Sequence, residues 1–163
     1  MTGRGFRAPV AIGAVAVIAL LLAPIALPAT SHAFSATYTG TATGHVSGTS
    51  ASGSATATGR GRLIGASTLR GSGHGVFTSQ TCVEFSGKAV LKGAPGAIRL
   101  TVRGARACAA AAMSTIVSFS GTASVSGGTS TFAGARGTLT FTGTFAQGSG
   151  KLTLSFHGRL RYN

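Results

Sequence analysis

Few side chains in this sequence can carry out acid–base or metal chemistry. The chain holds a single acidic residue, Glu84, and four histidines. General acid–base catalysis normally uses paired carboxylates or a positioned histidine, and one carboxylate cannot form such a pair. His45, His74 and His157 are too far apart in the sequence to form a local zinc-binding motif. We therefore predict no catalytic residue, no metal site and no cofactor.

Nucleophilic chemistry is also poorly supported. Serine is plentiful, but no G-x-S-x-G elbow joins a strand to a helix, and a hydrolase is therefore disfavoured. Glu84 alternates with Val83 and Phe85, so its side chain is expected to point away from theirs. Arg106 is expected near the same hairpin end. The simplest role for Glu84 is then a surface ion pair with Arg106.

Cys82 and Cys108 are predicted to form a disulfide bond. An even number of cysteines in an exported chain is most simply a bonded pair. If a hairpin turns near Pro95, the two cysteines lie at matching distances from the turn and face each other across neighbouring strands. A redox-active thiol pair or a metal site is disfavoured, because neither CxxC spacing nor a nearby histidine accompanies them.

Residues 1–33 are predicted to be a secretory signal peptide, which leaves residues 34–163 as one domain. Arg4 and Arg7 precede a nearly unbroken apolar run, and Ser31-His32-Ala33 offers small residues where a signal peptidase cuts. An N-terminal membrane anchor is the alternative, because the apolar run approaches the length that spans a bilayer. In both cases the domain lies outside the cytoplasmic membrane. No membrane span is expected once the leader is removed.

Alternating apolar and small polar residues predict about eight β-strands, joined by short glycine-containing connections. Short connections force neighbouring strands to be antiparallel, because parallel pairing needs a long crossover. The predicted fold is all-β, a single eight-stranded antiparallel up-and-down barrel, with a two-sheet β-sandwich as the alternative. The predicted strands cover residues 35–47, 51–60, 63–77, 82–92, 97–107, 114–126, 136–146 and 150–162.

The alternation also predicts which side chains face the barrel interior. An eight-stranded barrel is wide enough to be filled by side chains or to hold one small ligand. We expect a filled core at one end and a pocket at the other. The predicted interior residues are Val83, Phe85, Ile98, Leu100, Val102, Val117, Phe119, Leu139, Phe141, Phe145, Leu152, Leu154 and Phe156.

The chain is strongly basic, with 14 Lys and Arg residues and a formal net charge of +13. Such an excess attracts polyanions, and outside a cell these include anionic polymers. A soluble charged surface without a partner explains the same composition. Specific nucleic-acid binding is not expected, because there is no basic helix and no aromatic–basic motif. The predicted polyanion-binding residues lie on the outer face and are Arg99, Arg103, His157, Arg159 and Arg161.

The stretch from Gly127 to Gly137, GGTSTFAGARG, resembles the GGTGxFxGARG motif of the allene oxide cyclase-like and dirigent-like barrel superfamily, which includes many exported bacterial proteins. Ser130 replaces the usual third glycine. In physical terms, Gly127 and Gly128 permit a tight turn and Phe132 can plug the barrel end. Gly134 and Gly137 then allow the chain to re-enter the next strand. The resemblance covers the whole domain in pattern but only about a dozen residues in identity.

The resemblance implies an eight-stranded barrel, often a homo-oligomer, around an apolar cavity. It leaves two hypotheses for function. The first is a secreted, non-catalytic barrel that binds a small apolar ligand or an anionic polymer at the cell exterior. The second is a cyclase- or dirigent-like enzyme that acts on a reactive apolar intermediate in the cavity. The second needs a buried polar group facing Leu100, Phe141 and Leu154, and the family's carboxylates have no counterpart in this chain.

Overall fold

The computed structural model describes residues 30–162, which form eight antiparallel strands closed into one barrel in sequence order. The predicted barrel is therefore confirmed. A 3-10 turn, Ser130–Phe132, lies between the sixth and seventh strands. The strands are β1 (Thr30–Ser47), β2 (Ser50–Gly61), β3 (Gly65–Phe77), β4 (Cys82–Gly93), β5 (Gly96–Ala109), β6 (Ile116–Gly128), β7 (Arg136–Ala146) and β8 (Lys151–Tyr162).

The hairpin between β4 and β5 has the register that the cysteines indicated. Gly93 pairs with Gly96 at the turn, and Cys82 pairs directly with Cys108 near the other end of the two strands. The two cysteines form a disulfide bond, with their Cα atoms 4.2 Å apart. The ladder slips by one residue between Phe85 and Gly87. Across this irregularity the inward-facing residues of β5 change from Ile98, Leu100 and Val102 to Ala105, Ala107 and Ala109.

The two ends of the barrel differ. Because all neighbouring strands are antiparallel, alternate connections lie at the same end. We call the end that carries connections 48–49, 78–81, 110–115 and 147–150 the mouth. The opposite end carries connections 62–64, 94–95 and 129–135, together with Thr30 and Tyr162, and we call it the closed end.

The closed end is filled by large apolar side chains. Phe132 is fully buried and contacts Tyr162 edge to face, with ring centroids 5.3 Å apart. Ile64, from the β2–β3 connection, is also fully buried. The other fully buried aliphatic side chains of the core near this end come from four strands and are Leu91, Ile98, Leu139 and Leu160. These side chains plug the barrel, as the phenylalanine of the motif suggested.

The glycine motif is placed somewhat differently from the sequence prediction. Gly127 and Gly128 are the last residues of β6, and the connection to β7 is residues 129–135. The turn is therefore longer than a glycine pair, because it carries the 3-10 turn that inserts Phe132 into the barrel. Gly134 has φ of +68°, in the region where glycine is favoured, and it turns the chain back toward Arg136.

The proposed signal peptide lies outside the described residues except for its last four, which belong to β1. Residues 30–33 pair with residues 159–162 of β8. The side chain of Arg159 donates an Nε hydrogen bond to Ser31 Oγ at 3.0 Å, and His32 stacks on Tyr162 with ring centroids 4.6 Å apart. Among the residues described, none forms a helix long and apolar enough to cross a membrane.

Candidate functional site: an apolar cavity at the mouth

An internal cavity of about 450 Å³ occupies the mouth half of the barrel. Ligand-binding pockets for small molecules typically measure about 300–1,000 Å³. The combination of a plugged closed end and a hollow mouth matches the expectation from the sequence. Side chains from β4 to β8 form most of the apolar lining. They include Val83, Phe85, Leu100, Val102, Val117, Phe119, Phe141, Phe145, Leu152, Leu154 and Phe156.

The opposite part of the wall, from β1 to the middle of β4, is lined mainly by glycine and alanine, together with Val46, Leu69 and Phe77. Gly44 pairs with Gly53, Gly53 with Gly73, and Gly73 with Gly87, so one row of glycines crosses four strands. All four residues line the cavity. The cavity exists because this wall contributes mostly backbone and small side chains. A row of larger residues would fill the space.

Most glycines of this row are also needed for close packing of the backbone. A Cβ atom added to Gly53 would lie 2.7 Å from the carbonyl oxygen of Thr43, and one added to Gly73 would lie 2.7 Å from that of Ser86. Gly44 is the exception, because the nearest atom to an added Cβ is the carbonyl oxygen of Ser52 at 3.9 Å. Gly44 is therefore the position in the row where a side chain can be introduced without moving the wall.

The phenylalanine rings pack along their wall, which keeps the cavity open. Phe141 is paired with Gly121, and Phe119 with Gly143. A Cβ on Gly121 would lie 2.9 Å from Cζ of Phe141, so this ring covers the bare backbone of the glycine opposite it. Phe141 also contacts Phe85, Phe119 and Phe156, with ring centroids 6.3, 6.3 and 6.0 Å away. It is the centre of the aromatic cluster.

Beneath the cavity lies a buried polar pair. The hydroxyl of Tyr38 is hydrogen bonded to Ser67 Oγ at 2.9 Å, and Ser67 Oγ also lies 3.4 Å from the carbonyl oxygen of Gly65. Neither Tyr38 nor Ser67 is part of the cavity lining. Burial raises the pKa of Tyr38 above its ordinary value of 10.0, and the hydrogen bond between Tyr38 and Ser67 offsets only part of this effect.

Tyr38 should make the folded protein less stable in strong alkali. Its pKa is higher in the folded state than in the unfolded state, so above about pH 10 the unfolded chain loses a proton that the folded protein keeps. The contribution of Tyr38 to the free energy of unfolding is fully present below about pH 10. It is lost as the pH rises through the pKa of Tyr38 in the folded protein. Denaturant titrations at pH 8 to 12 should show the loss. The loss should shrink in Tyr38→Phe, and an unchanged pH dependence would contradict the assignment.

The lining gives the enzyme hypothesis no carboxylate. Glu84 is exposed and lies opposite Arg106 on the outer face of β4 and β5. The mouth connections contribute four uncharged polar residues to the lining, Gln80, Thr81, Ser114 and Gln147. The strands contribute His45, His74 and Lys88. The described residues contain no group of His, Cys, Asp and Glu side chains that could hold a metal ion. The cavity can exclude water and bind apolar surface.

The five residues predicted to bind polyanions are all exposed on the outer face, but the structure does not bring all five together. The predicted polyanion-binding residues are Arg99, Arg103, His157, Arg159 and Arg161. Arg103 lies beside a bulge of β5, apart from the other four residues. His157 pairs with Thr140, among the hydroxyl side chains of the outer face. Arg159 and Arg161 lie together near the closed end of β8.

Arg136 joins this group, although the sequence treated it only as part of the turn motif. It pairs with Arg161, and its Nη1 lies 3.6 Å from the position of a Cβ on Gly127. Arg99 Nη1 lies 3.9 Å from the same position, so the two guanidinium groups flank one glycine. The sequence could have indicated Arg136 through its position at the start of the predicted strand β7. Basic residues gather around the closed end; they are Arg60, Arg62, Lys92, Arg99, Arg136, Arg159 and Arg161.

The disulfide lies at the mouth, where it holds two connections together. Cys82 follows connection 78–81 and Cys108 precedes connection 110–115, and the amide of Ala109 donates a hydrogen bond to the carbonyl of Thr81 at 2.9 Å. A disulfide of this sequence separation, 26 residues, restricts the unfolded chain. The chain-entropy model values that restriction at about 3 kcal/mol.

Replacing both cysteines, Cys82→Ala with Cys108→Ala, should therefore lower the free energy of unfolding by about 3 kcal/mol. The measurement is equilibrium denaturation in urea, compared with the oxidised wild-type protein. The wild-type protein after reduction should show a similar loss. A double variant as stable as the oxidised protein would show that the bridge contributes nothing to the fold.

Fold and site together define a closed antiparallel barrel with an apolar cavity that opens at one end. Comparisons of the chain with protein-family models, with curated proteins and with solved structures found no match. Membership of the allene oxide cyclase-like and dirigent-like superfamily therefore stays a prediction from the motif at Gly127–Gly137.

Proposed function

We propose that this protein is an extracytoplasmic, non-catalytic barrel that binds one small apolar ligand in the cavity at its mouth. The observation that carries the proposal is the cavity of about 450 Å³ between the glycine row and the phenylalanine wall. Water in such a space has few polar partners, and an apolar ligand that displaces it gains about 25 cal/mol for each Å² of apolar surface removed from water. The disulfide is consistent with an extracytoplasmic location.

The test is a fluorescence titration with N-phenyl-1-naphthylamine, an uncharged apolar dye that emits strongly only in apolar surroundings. We expect saturable binding with one dye per barrel. The affinity should be nearly independent of salt, because no charged side chain is needed for the contact. Binding that disappears at high salt would point to the charged outer face. The absence of any saturable binding would contradict the proposal.

A second candidate function, binding of an anionic polymer, is supported by the two guanidinium groups over Gly127. Arg99 and Arg136 flank this glycine, and Arg161 pairs with Arg136. The planar guanidinium group of arginine can donate two hydrogen bonds to one carboxylate or sulfate group. Two such groups on one surface can therefore bind a polymer with repeating anionic groups. The interaction would use the closed end, so it is compatible with a ligand in the mouth.

Retention on a heparin column tests this second candidate against net charge alone. The variant Arg99→Gln with Arg136→Gln and the control Arg103→Gln with Lys151→Gln lose the same number of charges. We expect the first variant to elute at clearly lower salt than the control. Equal elution of both variants would show that the protein binds the column only through its overall charge.

A further inference from the structure

The mouth of the barrel carries an exposed apolar surface. Five large apolar side chains are exposed among the described residues, and four of them lie at or next to the mouth. Met113 is 93% exposed, at the tip of connection 110–115. We call Met113, with Val46, Val76 and Ile116, the apolar rim. Clustered exposed apolar side chains on a soluble domain typically mark a surface that contacts a partner.

Few charges lie near this rim: Glu84 pairs with Val76 and with Arg106, and Lys151 follows connection 147–150. The four connections at the mouth contain no Lys, Arg, Asp or Glu, and the longest, residues 110–115, reads AAAMST. Seven of the twelve Lys and Arg residues described lie around the closed end. An anionic partner would be attracted to that end, so the apolar rim is suited to an uncharged partner.

The rim is continuous with the cavity. Val46 and Ala112 belong both to the mouth and to the cavity lining, so apolar side chains connect the outside of the molecule with its interior. An apolar ligand that follows this surface exposes less apolar area to water than one that crosses open solvent. This continuity favours a lipid layer as the partner, because a lipid layer can both contact the rim and supply the ligand.

Connection 110–115 is held in shape before any contact is made. The amide of Ser114 donates to the carbonyl of Ala111 at 2.9 Å, and Ser114 Oγ donates to the carbonyl of Ile116 at 3.0 Å. The disulfide fixes the base of the connection at Cys108. Little conformational freedom is then lost when Met113 is buried, which strengthens binding.

We propose that the apolar rim docks on an uncharged lipid surface and that the apolar ligand passes from that surface into the cavity. The proposal rests on the proposed ligand-binding function and adds the source of the ligand to it. Met113 and Ile116 insert among the lipid chains, and the basic closed end faces away. The cavity is open to the lipid while the rim is docked.

The chain contains no tryptophan, so a single introduced tryptophan reports on its own position. Met113→Trp places the probe at the rim. Val90→Trp is the matched control, because Val90 is the remaining exposed large apolar side chain and lies on the outer wall of β4. With vesicles of phosphatidylcholine, the emission of Met113→Trp should shift to shorter wavelength, and that of Val90→Trp should not.

A loss-of-function variant complements the probe. In sedimentation with the same vesicles, Met113→Ser with Ile116→Ser should bind about tenfold more weakly or worse, because burying one such side chain is worth more than a tenfold change in affinity. Dye binding by this variant in the absence of vesicles should stay close to that of the wild type. Failure of the ligand-binding function would appear in that dye titration, and failure of docking would appear only with vesicles.

Three results would overturn the proposal. The first is an emission of Met113→Trp that does not change with phosphatidylcholine vesicles. The second is a shift that needs no vesicles and grows with protein concentration, which would show that a second copy of the chain covers the rim. The third is binding only to vesicles with anionic lipid and without a shift at Met113→Trp, which would assign the contact to the basic closed end.

Discussion

Phe141→Ala should lower the free energy of unfolding by about 3–5 kcal/mol, the range for removing a buried phenylalanine from a packed core. Phe141 is only 5% exposed and its ring contacts three other phenylalanines. Its loss also uncovers Gly121, whose backbone the ring shields. Domains of this size are stable by about 5–15 kcal/mol in total, so a large share of the stability is removed. Urea denaturation monitored by circular dichroism gives the value.

Phe145→Ala on the same strand is the control for this prediction. Phe145 lines the cavity but is only half buried, and no ring contact of the described residues involves it. Its loss should cost clearly less than that of Phe141. Equal losses for the two variants would show that the cluster around Phe141 has no special part in the fold.

Gly44→Phe should abolish dye binding, with at least a hundredfold loss of affinity, and leave the barrel folded. A hundredfold loss is about 2.7 kcal/mol, which equals roughly 110 Å² of apolar contact at 25 cal/mol/Å². One phenylalanine buries about 150–250 Å², so a ring that occupies the cavity displaces more contact than this. The fold should tolerate the change, because the nearest atom to a Cβ on Gly44 lies at an ordinary contact distance, 3.9 Å.

Thr56→Phe provides the matched control for Gly44→Phe, because Thr56 is exposed on the outer face of the neighbouring strand. It should bind the dye like the wild type. Gly53→Phe would not serve, since its Cβ would collide with the backbone at Thr43 and damage the wall itself. A folded Gly44→Phe protein with unchanged affinity would place the dye somewhere other than the cavity.

The sequence was sufficient to predict the barrel and most strand positions because β4 to β8 alternate large apolar residues with polar ones. β7 occupies residues 136–146 as predicted, and the ends of the other strands differ by a few residues. The largest difference is at β1, which begins at Thr30 within the proposed leader. Its first four residues are held by pairing with β8, a contact between distant parts of the chain that local patterns do not reveal.

The cavity was harder to predict, because it depends on residues without side chains. Alternation of large apolar residues identified the aromatic wall but gave no sign that Gly44, Gly53, Gly73 and Gly87 meet in one row. Such a row depends on the register of three hairpins, and a shift of one residue would turn those glycines outward. The arrangement of Arg99 and Arg136 over Gly127 depends in the same way on bulges that the sequence does not mark.

The pairing of β1 with β8 also determines when the protein can fold. The barrel has no free edge only after Thr30 and Tyr162 are brought together, at opposite ends of the described chain. Contacts between such distant residues form slowly, because the whole intervening chain must be ordered first. Closure must therefore follow synthesis of β8. Until β8 has been made, β1 therefore keeps an unpaired edge, which is the part of a sheet most prone to pair with another chain.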